Sequence, residues 1–189
     1  MTEEIIIAGF GGQGVLSMGK ILAYSGIMQE QEVSWMPSYG PEMRGGTANV
    51  TVIVSDERIS SPYLKVFDTA IILNQQSMDK FEEFVKPGGV LLYEPNGITL
   101  HPTRTDINIY KIEANRISLE MGNKKIFNMV VLGAYLKLKP IVKLENVIAG
   151  LKKSLPDRYH HLIALNKEAI TKGMDHVSPL KKIDQVFHN

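Results

Sequence analysis

The chain has 189 residues, of which 44% are hydrophobic, and its 21 basic and 20 acidic residues leave a formal net charge of +1. This length suits one domain with one substantial core, and the balanced charge gives no electrostatic argument for a nucleic-acid partner. The absence of cysteine excludes disulfides, a thiolate nucleophile and cysteine-ligated clusters on this chain. Because no apolar run approaches the roughly 20 residues of a membrane span and no signal-peptide pattern precedes the first strand, we predict a cytoplasmic protein without membrane contact.

The start of the chain predicts a strand, since Ile5 to Ala8 form a continuous apolar run typical of a strand covered on both faces. The next residues have the spacing G-x-G-x-x-G, and apolar residues recur with helical periodicity from Val15 to Met28. Glycines let the backbone approach a ligand closely, and the free amides at a helix start favour negative charge. The turn therefore predicts an anion-binding or partner-contacting site, with tight packing of strand on helix as the alternative. The residues of this predicted site are Gly9, Gly11, Gly12, Gln13 and Gly14.

A dinucleotide site is not favoured by the same turn. Such sites need an acidic residue about 20 positions further on, at the end of the second strand, where this chain has Ser34 to Ser38. A nucleoside-triphosphate loop is excluded as well, because Ile21 follows Gly19-Lys20 where a serine or threonine is required. A stand-alone NAD(P)-dependent dehydrogenase stays open as an alternative of a different class, and a flavin-binding module is a third.

The segment from Pro37 to Asn49 lies between two predicted strands at 32–36 and 48–54. Its three glycines permit positive φ or close backbone approach, while its prolines fix φ and remove amide donors. Opposite charges and a tyrosine ring stand close together in it, so we predict a rigid recognition loop, with a solvated surface turn as the alternative. The predicted contact residues are Ser38, Tyr39, Gly40, Pro41, Glu42, Arg44, Gly45 and Asn49.

The middle of the chain predicts further strands and a β-α-β unit. Residues 48–54 alternate apolar and polar, which indicates a half-exposed strand, and a returning strand from Ile59 would form a hairpin that makes the sheet mixed. A buried strand at 70–73, a helix at 74–85, a turn at 86–89 and strands at 90–93 and 107–112 follow. Asn74, Gln75 and Gln76 stand where open α/β sheets gather binding groups, but helix capping is their favoured role. His101 is interpreted as a loop residue.

The last third of the chain is predicted to be helical, over 126–138, 144–155 and 157–172. Gly133 indicates close packing, Gly173 is predicted to end the third helix, and His160 with His161 are interpreted as surface residues. The fold class that results is α/β, a three-layer Rossmann-like sandwich with a mostly parallel sheet and a helical C-terminal third. Residues 1–174 are predicted to form one domain, and 175–189 a polar tail that frays.

The two glycine-containing segments together resemble the γ subunit of 2-oxoacid:ferredoxin (acceptor) oxidoreductases, which act on pyruvate, 2-oxoglutarate or ketoisovalerate. The resemblance covers almost the whole chain. It is carried by Gly9-Phe-Gly-Gly-Gln-Gly-Val15, by Ser38-Tyr-Gly-Pro-Glu-Met-Arg-Gly-Gly46 with Asn49, by Ile59-Ser-Ser-Pro62 and by Asn128-Met-Val-Val-Leu-Gly133. The second of these motifs is much more specific than a glycine fingerprint.

The resemblance implies a complex in which this chain has a structural or gating role and no catalytic or metal-binding residue. Partner α and β subunits, with a δ ferredoxin-like subunit in some members, would hold thiamine diphosphate, magnesium and iron–sulfur clusters, and ferredoxin would accept the electrons. Coenzyme A would be the co-substrate of the complex. We then expect the amides of residues 11–14 and the guanidinium of Arg44 to face either a phosphate of coenzyme A or an acidic patch of a partner subunit.

Overall fold

The computed structural model describes residues 1–38 and 47–180. Six predicted contact residues therefore lie outside the described residues, namely Tyr39, Gly40, Pro41, Glu42, Arg44 and Gly45. The last nine residues, 181–189, lie outside them too.

A seven-stranded mixed sheet forms the middle layer of the described residues. Its strands are β1 (Thr2–Phe10), β2 (Glu32–Ser38), β3 (Thr47–Ser55), β4 (Phe67–Ile72), β5 (Val85–Tyr93), β6 (Asn108–Lys111) and β7 (Ser178–Pro179). Their spatial order is β2-β3-β1-β4-β5-β6-β7. β1, β4, β5 and β6 pair in parallel, whereas β3 is antiparallel to both of its neighbours and β7 is antiparallel to β6. The predicted α/β class with a mostly parallel, mixed sheet is confirmed.

Helices cover both faces of this sheet. The α-helices are α1 (Val15–Met28), α2 (Gln75–Phe81), α3 (Ala114–Glu120), α4 (Phe127–Leu138), α5 (Leu144–Ser154) and α6 (Ile163–His176). Short 3₁₀ turns stand at Glu82–Phe84, Pro95–Gly97, Lys124–Ile126 and Asp157–Leu162. The helical C-terminal third is thereby confirmed.

The continuous apolar run of β1 has a direct structural cause. Ile5 and Ile7 pack in the larger core beneath α1, α4, α5 and α6, while Ile6 and Ala8 pack in the smaller core beneath α2. Successive side chains of a strand point to opposite faces, so a strand buried on both sides must be apolar at every position. The continuous apolar run therefore reflects the burial of β1 between two layers of helices.

The predicted returning strand at Ile59 is wrong, because no residue between Asp56 and Val66 is in a strand. The sheet is mixed for another reason. β3 already pairs with β2 on one edge and with β1 on the other, so neither edge is free to accept a hairpin partner after Ser55.

Two helix boundaries also differ from the prediction. α2 ends at Phe81, and Val85 is already paired with Phe67 in the sheet, because the chain turns back through a 3₁₀ turn at Glu82–Phe84. Gly173 does not end α6 but is buried within it, against the backbone of α4 at Val130. The absence of a Cβ at Gly173 lets the two helices cross closely and does not end α6.

The start of the predicted tail belongs to the fold. α6 runs through His176, and Ser178–Pro179 pairs with β6, where the Leu180 amide also donates to the Ile109 carbonyl at 2.9 Å. Residues 175–180 thus lie in or directly beside regular elements of the described structure.

Candidate anion-binding site

The glycine turn connects the carboxyl end of β1 to the first turn of α1. Gly12 and Gly14 have φ values of 95° and 77°, a left-handed conformation that favours glycine. Gly14 is the N-cap of α1, and no side chain caps the helix there. The first amides of this 14-residue helix are therefore left for a ligand or solvent, and the helix dipole favours an anion at this end.

Gln13 holds the turn in place with both atoms of its carboxamide. Its Oε1 accepts the backbone N–H of Phe10 at 2.6 Å, and its Nε2 donates to the carbonyl of Leu73, just after β4, at 3.3 Å. Gly9 lies beneath it, where a Cβ would be 2.8 Å from the Cβ of Leu73. Tight strand–helix packing, the alternative reading of the turn, thus accounts for Gly9, whereas a Cβ on Gly12 would meet no atom within 4 Å and one on Gly14 would meet the Asn128 side chain.

A cleft of about 210 Å³ lies in front of this turn. The turn forms one wall, and the opposite wall comes from the start of α3, the 3₁₀ turn at Lys124–Ile126 and the start of α4. The lining residues are Gly12, Gln13, Gly14, Asn115, Lys124, Lys125, Phe127 and Asn128. Two exposed ammonium groups, three carboxamides and a helix N-terminus meet here, and none of the described residues that line the cleft is acidic, so the site suits an anion such as a phosphate.

A buried carboxyl group stands directly behind the cleft. Glu94, which follows β5, is 1% exposed, and its Oε2 accepts a hydrogen bond from Nδ2 of Asn115 at 3.0 Å. Its Oε1 has no hydrogen-bond partner among the described residues. Burial raises the pKa of Glu94, and the nearby Asn115 side chain and the backbone amides of Asn96, Gly97 and Asn115 only partly oppose this.

The two ends of the predicted recognition loop lie at the same edge of the sheet as the glycine turn. Ser38 pairs with Asn49 in the hairpin of β2 and β3, and Asn49 pairs with Ala8 of β1. Asn49 is on the strand next to β1, which leads into the turn, and Ser38 is one strand further away. Neither residue lines the cleft. Gly11, within the turn, is exposed and does not line the cleft either.

The polar residues after β4 have structural roles. Asn74 accepts the backbone N–H of Ser77 at 2.8 Å as the N-cap of α2, so its predicted capping role is confirmed. Gln75 instead accepts the backbone N–H groups of Thr99 and Leu100, both at 2.8 Å, and so fixes the next connection. His101 lies in a loop as predicted, and no group of three potential metal ligands occurs within 1–38 and 47–180.

Five lining residues were not predicted as site residues from the sequence, namely Asn115, Lys124, Lys125, Phe127 and Asn128. Asn115 lies on α3, a seven-residue helix that was not predicted, and Lys124 and Lys125 precede α4 in a stretch that was not interpreted. The pair of lysines just before a helix that contains Asn128 is the signal that was available. The two lysines form part of a site only because the glycine turn lies opposite them, and this placement depends on the tertiary structure.

These features define a class of protein: an α/β sandwich with a lysine-lined cleft where a glycine turn leaves the carboxyl edge of its sheet. The model of the family described as "pyruvate ferredoxin/flavodoxin oxidoreductase" matches residues 4–176. A 2-oxoglutarate synthase subunit, KorC of Methanocaldococcus jannaschii, is 36% identical over 159 residues, which cover 82% of this chain and 85% of the relative. The chain belongs to the pyruvate ferredoxin/flavodoxin oxidoreductase family.

Another relative is a longer protein. The ketoisovalerate oxidoreductase subunit VorA of Methanothermobacter thermautotrophicus is 40% identical over 135 residues, which are 71% of this chain but 28% of VorA. This chain thus matches little more than a quarter of that relative's length.

Solved structures share the fold over nearly the whole chain. The γ subunit of a keto/oxoacid ferredoxin oxidoreductase from Geobacter sulfurreducens has a TM-score of 0.80 and 28% identity, covering 93% of this chain and 96% of its own. A 2-oxoglutarate:ferredoxin oxidoreductase from Magnetococcus marinus, solved with 2-oxoglutarate, coenzyme A and succinyl-CoA bound, has a TM-score of 0.82 and 26% identity. The match covers 92% of this chain and 30% of that one, so the same fold occurs there within a longer chain. Among the described residues, no helix is both long and apolar enough to cross a membrane.

Proposed function

We propose that this chain is the γ subunit of a thiamine diphosphate-dependent 2-oxoacid:ferredoxin (acceptor) oxidoreductase, an enzyme complex that oxidatively decarboxylates a 2-oxoacid to an acyl-CoA. Family membership and the likeness to a γ subunit over nearly the whole chain support the assignment. The observation that carries the role of this chain is the cleft between Gly12–Gly14 and Lys124–Lys125, which has the chemistry to hold a phosphate.

The proposed division of labour places the chemistry on partner subunits. A chain without cysteine supplies no thiolate ligands for iron–sulfur clusters, so those clusters would be on other chains. Thiamine diphosphate with magnesium would be held by the α and β subunits, with a δ ferredoxin-like subunit in some complexes and ferredoxin as the acceptor. We infer a cytoplasmic complex, and its 2-oxoacid is pyruvate, 2-oxoglutarate, ketoisovalerate or a close analogue. The division into a domain of residues 1–174 and a tail of 175–189 stays a prediction.

The cleft is proposed to bind a phosphate of coenzyme A, with an acidic patch of a partner subunit as the second candidate. Either ligand presents oxygen acceptors to the free amides of α1 and to the two ammonium groups. Arg44, outside the described residues, is proposed to contribute a third cation, since the ends of its segment leave the sheet at the same edge. This chain would thereby gate the approach of coenzyme A to a reaction carried out by its neighbours.

The test compares two double variants in the reconstituted complex. Lys124→Ala with Lys125→Ala removes the cations of the cleft, whereas Lys152→Ala with Lys153→Ala removes the same charge from the exposed end of α5. The first should raise the KM for coenzyme A about tenfold, as expected when charge-assisted contacts are lost, and the second should leave it unchanged.

A rise in the subunit dissociation constant with an unchanged KM would instead favour the acidic partner patch. Unchanged values of both would contradict the proposed cleft. A panel of 2-oxoacids assayed with the wild-type complex identifies the substrate, and the isolated chain should show no turnover.

A stand-alone NAD(P)-dependent dehydrogenase is not favoured. The second strand ends at Ser38, so the carboxylate that binds a ribose diol is missing from that position. Calorimetric titration of the purified chain with NADH and NADPH should therefore give no binding heat.

A further inference from the structure

The Glu94–Asn115 pair connects the cleft to the interior of the sheet. Asn115 lines the cleft, and its Nδ2 donates to Glu94 Oε2 at 3.0 Å, so the orientation of its carboxamide is set by a residue that the cleft itself does not expose. A carboxylate oxygen only accepts hydrogen bonds, so Asn115 must present its NH₂ group to an ionised Glu94.

Glu94 is unusual because it is an acidic group placed behind a site that suits anions. It is 1% exposed, and no salt-bridge partner of its carboxyl occurs in the described part of the chain. The charged groups on the elements around it include Lys111 at the end of β6, Glu113 at the N-cap of α3, Arg116 and Glu120 on α3, and Lys124 and Lys125 across the cleft. Glu113 and Arg116 are paired with each other at 2.7 Å on the exposed side of α3.

We propose that Glu94 is a positioning residue of the cleft and that binding of an anion there is coupled to the uptake of one proton by its carboxyl group. This proposal rests on the proposed function of the cleft as a phosphate site.

The coupling follows from the charges involved. An ionised Glu94 repels an anion held in the cleft that Asn115 lines, and in a poorly solvated site this repulsion is weakly screened. A protonated Glu94 removes the repulsion and still offers a carbonyl oxygen to Nδ2 of Asn115. The proton, taken from solvent, can be placed on Oε1, where it displaces no hydrogen bond of the described residues.

Linkage makes the effect reciprocal. If protonation of Glu94 strengthens anion binding, a bound anion must strengthen proton binding by the same factor. Burial already raises the pKa of this carboxyl, and a bound anion would raise it further in the same direction. A purely structural Glu94, which only holds α3 against β5, would show no such dependence on the anion.

The first measurement follows sulfate binding to the full chain through the amide resonances of Gly12 and Gly14. Sulfate keeps a fixed charge between pH 5 and pH 8, and no carboxyl or histidine side chain is among the described residues that line the cleft. For the wild type, the sulfate Kd should increase about fivefold as pH rises across the titration of Glu94. Glu94→Gln, which keeps an acceptor for Asn115, should abolish this dependence, and Glu113→Gln on the same helix should retain it.

The second measurement needs no variant. The side-chain carboxyl resonance of Glu94 in the wild-type chain is titrated with pH, with and without saturating sulfate, and the midpoint should move upward when sulfate is bound. An unchanged midpoint, or equal pH dependence for wild type and Glu94→Gln, overturns the coupling while leaving the cleft intact. Absence of any sulfate binding to the amides of Gly12 and Gly14 overturns the coupling and the phosphate cleft together.

Discussion

Gly133 of α4 and Gly173 of α6 form a reciprocal contact in which each glycine faces the backbone of the opposite helix. A Cβ on Gly133 would lie 2.7 Å from the carbonyl carbon of Ile170, and one on Gly173 would lie 2.8 Å from that of Val130. The two helices therefore touch backbone to backbone. Because α4 begins at Phe127 beside the cleft, this crossing also holds one wall of the candidate site in place.

Replacing either glycine of this crossing by alanine should destabilise the protein. Alanine favours a helix by about 1 kcal/mol over glycine, but the added methyl group must push two backbones apart, which costs about 1–3 kcal/mol or more in packed sites. We expect the free energy of unfolding, measured by urea denaturation, to fall by about 1–2 kcal/mol for Gly133→Ala and for Gly173→Ala. Thr171→Ala, at an exposed position of α6, is the control and should change it by less than about 0.5 kcal/mol. Stabilised glycine variants would show that the helices separate without cost.

The cleft should be closed by a methyl group at Gly14. Its φ is 77°, and a Cβ there would lie 2.8 Å from the Cβ of Asn128, across the cleft. Gly14→Ala is expected to lose about 1–2 kcal/mol of unfolding free energy from backbone strain and also to abolish sulfate binding. Gly122→Ala is matched in strain, with a φ of 71° and no atom within 4 Å of the added carbon, and should keep its sulfate affinity. Equal sulfate affinities of Gly14→Ala and Gly122→Ala would show that Gly14 is not part of the sulfate-binding site.

The carboxamide of Gln13 should stabilise the glycine turn through both of its atoms. Gln13→Leu removes an acceptor for the Phe10 amide and a donor to the Leu73 carbonyl, so we expect a loss of about 1–2 kcal/mol in unfolding free energy. Amide hydrogen exchange at Phe10 should accelerate in the same variant. Gln76→Leu, at an exposed position of α2, should change neither quantity. Unaltered exchange at Phe10 in Gln13→Leu would mean that the turn holds without the bond.

Stability should depend on pH through Glu94 in a defined direction. Burial raises its pKa in the folded state above the ordinary value of 4.5, so the folded chain binds this proton more tightly than the unfolded chain. The stabilisation is fully present below pH 4.5 and is lost as pH rises through the folded pKa. Relative to wild type, Glu94→Gln should therefore become progressively more stable as the pH of a denaturation series is raised from 4.5, whereas Glu113→Gln should not. A constant difference between Glu94→Gln and wild type at every pH would contradict the raised pKa.

Several elements could be predicted because their sequence pattern reflects purely local constraints. The apolar run at Ile5 to Ala8, the glycine spacing before α1 and the alternation in β3 each follow from side-chain directions within one element. The N-cap role of Asn74 is local as well, since its partner Ser77 is three residues away. Gly133 was interpreted correctly as a close contact, but the helix that it touches could not be named.

Other features escaped prediction because they depend on residues far apart in the chain. A strand at Ile59 has no place beside β3, which is paired on both edges, and strand order is a property of the whole sheet. Gly173 looks like a helix terminator in isolation and is a packing residue only because α4 crosses there. α3 has seven residues, and so short a helix depends on tertiary packing for its stability.

Taken alone, the amino-acid sequence determined the α/β class, the family resemblance and the glycine turn, since each depends on short-range periodicity or on motifs. Tertiary structure decided which cations meet that turn: Lys124 and Lys125 are more than 100 positions away and reach it only because α4 packs beside α1. It also decided that Glu94 is buried behind Asn115, because solvent access to a carboxyl group depends on the elements folded around it and not on its neighbours in the chain.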